Sequence, residues 1–339
     1  MTQVQHGGSA GSPHRSGAGR GGDQLMVPEA DFDSYYGRPI VKPAPWEHDI
    51  AVYLFTGGVA AGSSLLAAGA DLTGRPALRR VARFGSLASL LVSVVALVHD
   101  LGKPSRFLNM LRVAKPTSPM SVGTWILSLH GPFAGVAAAA ELAAMLPIRW
   151  QRGPVRLLLA LGRPAGIVGA VTAPPVAAYT GVLLSDTATP AWHSAYKELP
   201  FVFCGSAAAA SGGLGILGAP VAEAGPARAF AVGGALVELA TEQRMEQSMG
   251  LPAETLHRDR AGRLMKASKA LTTAGAVGAL VGRRNRALSM VSGAALMAGS
   301  LCTRLGVYEA GIASAKDPKY TVVPQRDRVD RGEPVRYRS

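Results

Sequence analysis

The stretch that decides the fold is VHDLGKPSRFLNMLRVAKPTSPMSVGTW, residues 98–125. An apolar run over residues 87–98 leads into it, and a second apolar run begins at Trp125. Between the two runs lie a short amphipathic segment, residues 107–113, and the helix-breaking cluster of residues 115–119. This pattern predicts two long apolar helices joined by a polar loop. Ionisable groups at the mouth of an apolar helix are costly there, so their presence indicates a function.

The composition extends that pattern to most of the chain. Of the 339 residues, 48% are hydrophobic and 17% are charged, and the polar ones concentrate at the two ends. Apolar stretches of about twenty residues recur between those ends, which is the length that crosses a bilayer. The predicted spans are residues 49–70, 81–100, 122–146, 166–185, 199–218, 226–241, 264–281 and 287–310. The sequence therefore predicts an all-α, polytopic integral membrane protein with about eight transmembrane helices in two four-helix bundles.

The chain divides into four regions by composition. Residues 1–30 are rich in Gly and Ser and predict a disordered tail. Residues 31–48 are rich in Pro and aromatic residues and predict either an interfacial anchor, with Tyr35, Tyr36 and Trp46 in an aromatic belt, or a docking arm. The transmembrane domain is expected over residues 49–312. A polar tail, partly ordered at most, is expected over residues 313–339.

Charge and cysteine usage narrow the possible partners. The net charge is +13, which in a soluble protein would suggest nucleic acid. Here the basic residues cluster between apolar runs, where they meet lipid phosphates, so we expect membrane lipid and no nucleic acid as partner. Two cysteines without a C-x-x-C motif do not hold an iron–sulfur cluster or structural zinc, and no metal is predicted in this chain.

Polar residues at the ends of the predicted spans are the candidates for a ligand site. His99 titrates near neutral pH, and Asp100 beside it could orient the imidazole or relay a proton. The alternative is a helix-end cap in which both pair with Lys103 and Arg106. Tyr53, in the first span, is a candidate ligand contact that shares a helix side with small residues.

Four further polar residues lie inside later spans, and one of them follows a proline pair. Tyr179 follows Pro174–Pro175, which we expect to break that helix, and it is a second candidate contact. His130 is a supporting candidate, although a lone intramembrane histidine is more often hydrogen-bonded structure than a ligand. Glu238 and Arg304 are buried candidates that would face protein and not lipid.

Five segments in this order carry a resemblance to a known family: RPIVKPAPW, GGVAAGSSLLAAGADL, DLGKPSRFLNML, KPTSPMSVGTW and YTGVLLSDTATPAW. Over roughly residues 37–310 the chain resembles the polysulfide reductase membrane-subunit family, also called NrfD-like. Lys103, Arg106 and Asn109 lie in the segment DLGKPSRFLNML, and the resemblance makes them supporting residues of the predicted ligand site. The resemblance implies an integral subunit without haem or metal that binds a quinone, menaquinone or ubiquinone, near one membrane face.

The resemblance also implies site residues and partners. It maps quinone contacts onto Tyr53 and Tyr179. Since other members can have histidine at the position of Tyr53, the proton-donating role could fall to His99 and Asp100. The partners implied are a ferredoxin-like iron–sulfur subunit and a molybdopterin-type catalytic subunit, as in formate dehydrogenase or polysulfide reductase complexes of anaerobic respiration. The location implied is the bacterial plasma membrane, with substrate chemistry on another chain.

Three alternatives remain open at this stage. A di-haem anchor needs histidines facing each other across helices, and His99 and His130 are the two at suitable depths. A proton- or solute-translocating subunit would use the broken helix together with Glu238 and Arg304. A bare structural anchor would tolerate replacement of every candidate residue.

Overall fold

The computed structural model describes residues 39–44, 46, 48–101, 103 and 105–332. The predicted disordered tail, residues 1–30, lies outside the described residues. So do Tyr35 and Tyr36 of the predicted arm, and the last residues, 333–339.

The described part of the chain is helical and contains no β-strand, so the all-α prediction is confirmed. Its α-helices, in chain order, are α1 (His48–Leu72), α2 (Pro76–Asp100), α3 (Arg106–Met110), α4 (Pro119–Met145), α5 (Pro154–Ser185), α6 (Pro190–Ser194), α7 (Leu199–Gly218), α8 (Gly225–Ser248), α9 (Asp259–Val281), α10 (Arg286–Lys316) and α11 (Lys319–Asp330). Eight of these described helices have 20 residues or more, which matches the number of predicted spans.

Six described helices are long and apolar enough to cross a membrane: α1, α2, α4, α5, α7 and α10. The other two long helices, α8 and α9, carry more charge. Large apolar side chains lie exposed on the outer surface, for example Val95 at 68%, Val171 at 73% and Val291 at 66%. Such a surface is unfavourable in water and suits lipid chains, so the chain is a multi-pass membrane protein.

Local sequence signals explain where several helices begin. Proline occupies the first turn of α2, α4 and α5, where its missing N–H costs nothing. Ser118 caps α4 by accepting a hydrogen bond from the Ser121 N–H, and Asn285 caps α10 in the same way. The predicted fourth span, residues 166–185, begins too late, because α5 already begins at Pro154.

The predicted break in the fourth span is also wrong. Helix α5 continues through Pro164, Pro174 and Pro175 to Ser185. Each proline removes one backbone hydrogen bond, and neighbouring helices hold the axis in place around the loss. The helix that carries Tyr179 is therefore a continuous rod of 32 residues.

The long helices form the two predicted four-helix groups. Helices α1, α2, α4 and α5 pack together as the first bundle, and α7 to α10 form the second. Helix α7 also contacts α1 and α5, which joins the bundles. Gly62 permits this contact, because a Cβ there would overlap the Ser211 side chain and approach the Ala207 carbonyl. The predicted small-residue packing face of the first helix thus lies against α7.

We call the end of the described bundles at which α1 begins the cavity face. Helices α4, α7 and α9 also begin there, and α2, α5, α8 and α10 end there. Trp46 lies here, just before α1. Its ring stacks on buried Trp192 of α6 with centroids 5.8 Å apart, and the Tyr308 hydroxyl of α10 donates to the Trp46 carbonyl. Trp46 therefore packs against the protein interior, and its place in an aromatic belt stays a prediction.

The C-terminal region is more ordered than predicted. Helix α10 extends to Lys316, six residues past the predicted end, and α11 follows over residues predicted as tail. Lys319 at the start of α11 donates to Glu254 Oε2 at 2.9 Å, and Arg258 pairs with the same oxygen at 2.8 Å. The hydrogen bond from Lys319, helped by the charge of Arg258, lowers the pKa of Glu254.

Candidate functional site

A cavity opens between the helix ends at the cavity face of the first bundle. The start of α1, the end of α2, α3, the start of α4 and the end of α5 all contribute to its wall. Its apolar lining includes Ile50, Leu97, Met110, Met120, Leu127 and Leu183. Its polar lining includes Tyr53, Asp100, Thr124 and Tyr179. An apolar cleft with a few convergent polar groups is the usual form of a small-molecule site.

Tyr53 and Tyr179 reach this cavity from opposite helices. Tyr53 lies five residues into α1 and Tyr179 six residues before the end of α5, which places each roughly 7–9 Å below the helix ends. Both are buried, with 5% and 9% of their surface exposed. Within the described part of the chain, neither hydroxyl makes a hydrogen bond to protein, so both are available to a ligand.

Gly123 on α4 makes room for the Tyr179 ring. A Cβ at this position would overlap the ring carbon that carries the hydroxyl. The hydroxyl of neighbouring Thr124 donates to the Met120 carbonyl at 2.9 Å, so it serves its own helix. At the start of α4, Gly123 thus leaves space for the Tyr179 ring. Thr124 beside it has its hydroxyl occupied by a hydrogen bond within its own helix.

Asp100 supplies a titratable group at the cavity wall. It is the last residue of α2 and is half-buried between the helix end and the start of the polar loop. A carboxylate at this place can exchange protons between the cavity and the membrane surface.

His99 does not line the cavity, although the sequence pairs it with Asp100. Its side chain is 77% exposed, and its Nδ1 lies 2.7 Å from Asp49 Oδ2 at the start of α1. His99 Nδ1 therefore pairs with Asp49, whereas the sequence suggested Asp100 as the residue that orients it. His99 and Asp49 instead link the ends of α1 and α2 at the rim, each beside a lining residue.

The supporting loop residues also lie outside the cavity. Lys103, Arg106 and Asn109 are exposed at the surface of the loop that connects α2 and α4. The same loop exposes Arg112 and Lys115. The loop therefore forms a basic surface beside the cavity. The alternative, a cap of His99 and Asp100 paired with Lys103 and Arg106, stays a prediction; the described pair of His99 is Asp49.

His130 lies in the middle of α4 and is fully buried away from the cavity lining. Its Nδ1 is 3.1 Å from the Thr172 hydroxyl and its Nε2 is 3.4 Å from the Ser64 hydroxyl. Both ring nitrogens are therefore engaged with hydroxyl groups on neighbouring helices. This matches the alternative in which His130 is hydrogen-bonded structure and not a ligand.

Glu238 and Arg304 lie in the second bundle and are fully buried. Thr303 donates to Glu238 Oε1 at 2.6 Å, and Arg304 Nη2 donates to the Phe203 carbonyl at 2.6 Å. Neither residue lines the cavity. The structure thus divides the candidates into a cavity group, a rim group and an interior group.

The residues that line the cavity suit the chemistry of a quinone ring, but the cavity is smaller than a typical ligand pocket. Its volume is about 50 Å³, whereas ligand pockets hold roughly 300–1,000 Å³. Met110 and Met120 line the cavity, and their long unbranched side chains can change rotamer to admit a larger ligand. The two free phenols and the apolar walls fit a ring that carries two carbonyl oxygens.

Sequence reasoning missed several lining residues. Trp46, Met120 and Gly123 belong to the quoted motifs, but no pattern in one sequence indicates which side of a helix faces a neighbour. Asp49 was missed as the partner of His99 because the two are 50 residues apart in the chain. These contacts are tertiary and become visible when α1, α2 and α4 are placed together.

The comparisons with known proteins bear on this architecture. The sequence profile of the family described as "Polysulphide reductase, NrfD" matches residues 40–219, which include the whole first bundle and α7. This match stops earlier than the expected resemblance over residues 37–310 and leaves α8 to α10 outside it. A search of the curated proteins finds no significant match. The match covers more than half of the chain, and the chain therefore belongs to the polysulphide reductase NrfD family, as a multi-pass membrane subunit of a redox complex.

Proposed function

We propose that this subunit binds a quinone in the cavity of the first bundle and exchanges electrons with an iron–sulfur partner subunit. That partner would in turn serve a molybdopterin-type catalytic subunit. One observation carries the proposal: two buried tyrosines, Tyr53 and Tyr179, present unpaired hydroxyls to an apolar cleft at one membrane face. A lipid-soluble ring can reach such a cleft from the bilayer.

The protein groups have distinct roles in this proposal. Tyr53 and Tyr179 donate hydrogen bonds to the two carbonyl oxygens and hold the ring between α1 and α5. The apolar side chains around them exclude water from the ring faces. A bound quinone supplies two-electron, two-proton redox chemistry. Asp100 then exchanges protons with the aqueous surface, where His99 and Asp49 lie beside it.

The charge of the surface beside the cavity supports an acidic partner subunit. Lys103, Arg106, Arg112 and Lys115 are exposed on the loop between α2 and α4. An acidic iron–sulfur subunit seated on this loop would bring its cluster next to the ring. Complementary charge also accelerates such association. This arrangement supports one electron route, from the cavity through the loop to the partner.

The proposal is tested by quinone binding to the full-length chain in detergent. We expect a short-chain ubiquinone or menaquinone analogue to bind in calorimetric titration. Loss of one hydrogen bond in Tyr179→Phe or Tyr53→Phe should weaken binding about 3- to 10-fold. The matched control is Tyr196→Phe, because Tyr196 is exposed beyond α6 and outside the cavity. Equal affinity in all four proteins would contradict the proposal.

A further inference from the structure

The interior of the second bundle contains buried polar side chains in the half nearer the cavity face. Each of its four helices contributes an oxygen there: Ser206 from α7, Glu238 from α8, Ser268 from α9 and Thr303 from α10. Thr303 bonds Glu238 Oε1 at 2.6 Å, and the Ser268 and Thr303 hydroxyls lie 2.5 Å apart. Polar groups at this depth are costly, and the proposed quinone chemistry uses none of them.

Three acidic residues lead from the cavity face to this interior. Glu246, Glu242 and Glu238 follow one another at four-residue spacing on α8, so each lies about 6 Å deeper than the last. Lys269 of α9 connects the first two, with its Nζ 2.7 Å from Glu246 Oε1 and 3.5 Å from Glu242 Oε1. The Lys269 side chain is 40% exposed, whereas Glu242 is fully buried. The chain of acids thus begins at the surface and ends inside.

The inner acids have unused hydrogen-bonding capacity. Within the described part of the chain, Glu238 Oε2 and Glu242 Oε2 are buried and have no hydrogen-bond partner. A buried carboxylate oxygen without a partner is destabilised, and a proton on that oxygen removes the charge. These oxygens are therefore places where a proton can be held.

Arg304 supplies the opposing charge at the inner end. It is fully buried, and its guanidinium lies 3.7 Å from the centre of the Phe203 ring. It directly follows Thr303, whose hydroxyl donates to Glu238. Its Nε and Nη1 have no hydrogen-bond partner among the described residues. Gly58 of α1 packs directly against it. A fixed cation here favours an ionised Glu238, so a proton on that acid can be released again.

An apolar layer closes the interior beyond this cluster. Leu296 of α10 is fully buried and fills the space left by Gly213 of α7 and Gly275 of α9. Hydroxyl groups resume on the far side, at Ser292 and Ser289. Buried polar side chains therefore recur from the cavity face up to Leu296, and a fully buried apolar side chain stands between them and the hydroxyls beyond.

We propose that Glu242 and Glu238 form a proton-exchange path from the cavity face to the middle of the second bundle. Lys269 and Glu246 form its entrance, Arg304 is the counter-charge at its end, and Leu296 separates it from the opposite face. The ligand is a proton. The path is independent of quinone binding, since its residues are in a different bundle from the cavity.

The first test is infrared difference spectroscopy of the full-length chain in lipid vesicles, recorded between acidic and alkaline buffer. We expect a carbonyl band from buried carboxylic acid that shifts when H₂O is replaced by D₂O. Glu242→Gln and Glu238→Gln should each remove intensity from this band. The control Glu223→Gln should leave it unchanged, because Glu223 accepts from the Ala77 and Leu78 N–H groups at the opposite face, outside the path. A band that is absent, or that survives both interior substitutions, would overturn the proposal.

The second test opens the apolar layer and needs no quinone. In vesicles with a pH gradient, Leu296→Ser should raise proton leakage severalfold above the unsubstituted chain, and adding Glu242→Gln should abolish the increase. The control is Leu236→Ser, on the exposed outer surface of α8 at 64% exposure. Leakage that is unchanged by Leu296→Ser, or that persists with Glu242→Gln, would refute the path.

Discussion

Gly123 and Tyr179 show how a single atom determines whether the cavity exists. The Tyr179 ring occupies the place that a Cβ at Gly123 would take. The size of the cleft therefore depends on a hydrogen side chain on α4. Tyr179 of α5 and Gly123 of α4 are therefore one packing unit of the site, although they lie on separate helices.

Gly123→Ala should push the Tyr179 ring into the cleft. We expect quinone affinity to fall about tenfold or more, equivalent to at least ~1.4 kcal/mol. Overpacking should lower the free energy of unfolding by about 1–3 kcal/mol. The matched control is Gly135→Ala on the same helix, where a Cβ meets open space. Equal quinone titrations for the two variants would show that the cleft is not the binding site.

At this scale the sequence predicted the tyrosines and misplaced the histidine. Tyr53 and Tyr179 were identified from their motifs and positions near span ends, and both line the cavity. His99 and Asp100 are adjacent, so on a helix their side chains point about 100° apart. One neighbour can face the cavity only if the other turns away, and Asp49 then pairs with His99. Adjacency in sequence therefore could not predict a shared site.

Helix α5 illustrates what periodicity predicts about an element. Its later part was predicted from hydropathy, as the span over residues 166–185. Residues 154–165, which carry Arg156 and Arg163, lay outside that span although the backbone there is already helical. Paired proline residues did not end the helix, because packing against α1, α4 and α7 holds it. Tertiary contacts outweigh local propensity here.

A charge cluster holds the first bundle together at the face opposite the cavity. Arg79 Nε lies 2.5 Å and Arg83 Nη1 3.2 Å from Glu141 Oε1, and the Glu141 side chain is 1% exposed. Asp71 accepts from Arg79 at 2.9 Å. These pairs join α1, α2 and α4 through groups that water does not screen.

Glu141→Gln should remove the buried carboxylate from Arg79 and Arg83 and leave Asp71 as their counter-charge among the described residues. We expect a loss of up to about 3–5 kcal/mol in the free energy of unfolding, the cost of breaking a buried ion pair. Arg163→Gln is the control, because Arg163 pairs with Asp71 at 3.5 Å while 66% exposed, and such pairs contribute about 0–1 kcal/mol. Chemical denaturation in detergent measures both. Similar losses in the two variants would contradict a buried network.

Docking of α11 should depend on pH through Glu254. The hydrogen bond from Lys319 lowers the folded-state pKa of Glu254 below its ordinary value of 4.5. The ionised carboxylate therefore stabilises the docked helix above pH 4.5, and this contribution disappears as the pH falls through the lowered value. Hydrogen exchange in α11 should accelerate in that acidic range. Glu254→Gln should remove the step, and identical pH profiles in both proteins would contradict this role.

The whole molecule consists of two bundles with different chemistry. The first holds the cavity and lies within the family match, and the second holds the buried acids and lies mostly outside it. Hydropathy predicted the number of long helices and the grouping into two bundles. It could not predict that Trp46, Trp192 and Tyr308 join the cavity to the second bundle, since those contacts link distant parts of the chain.

Partner binding should depend on the basic loop at the cavity face. The double substitution Arg106→Glu and Arg112→Glu reverses charge beside the cavity and should weaken association with the iron–sulfur subunit about tenfold or more at low salt. Salt should reduce the difference. The control reverses Arg149 and Arg152, which are exposed at the opposite face. Co-purification and binding at two ionic strengths measure the effect, and an equal loss in both double variants would place docking elsewhere.

The most direct test of the central claim is covalent mapping with a photoreactive azidoquinone. Illumination of the full-length chain in lipid vesicles, followed by peptide mass spectrometry, locates the bound ring. We expect adducts on cavity-lining segments of α1, α4 and α5, around Tyr53, Met120 and Tyr179. Excess unlabelled quinone and Gly123→Ala should both reduce them. Adducts confined to the outer, lipid-facing residues, or adducts unchanged by Gly123→Ala, would contradict a quinone site in this cavity.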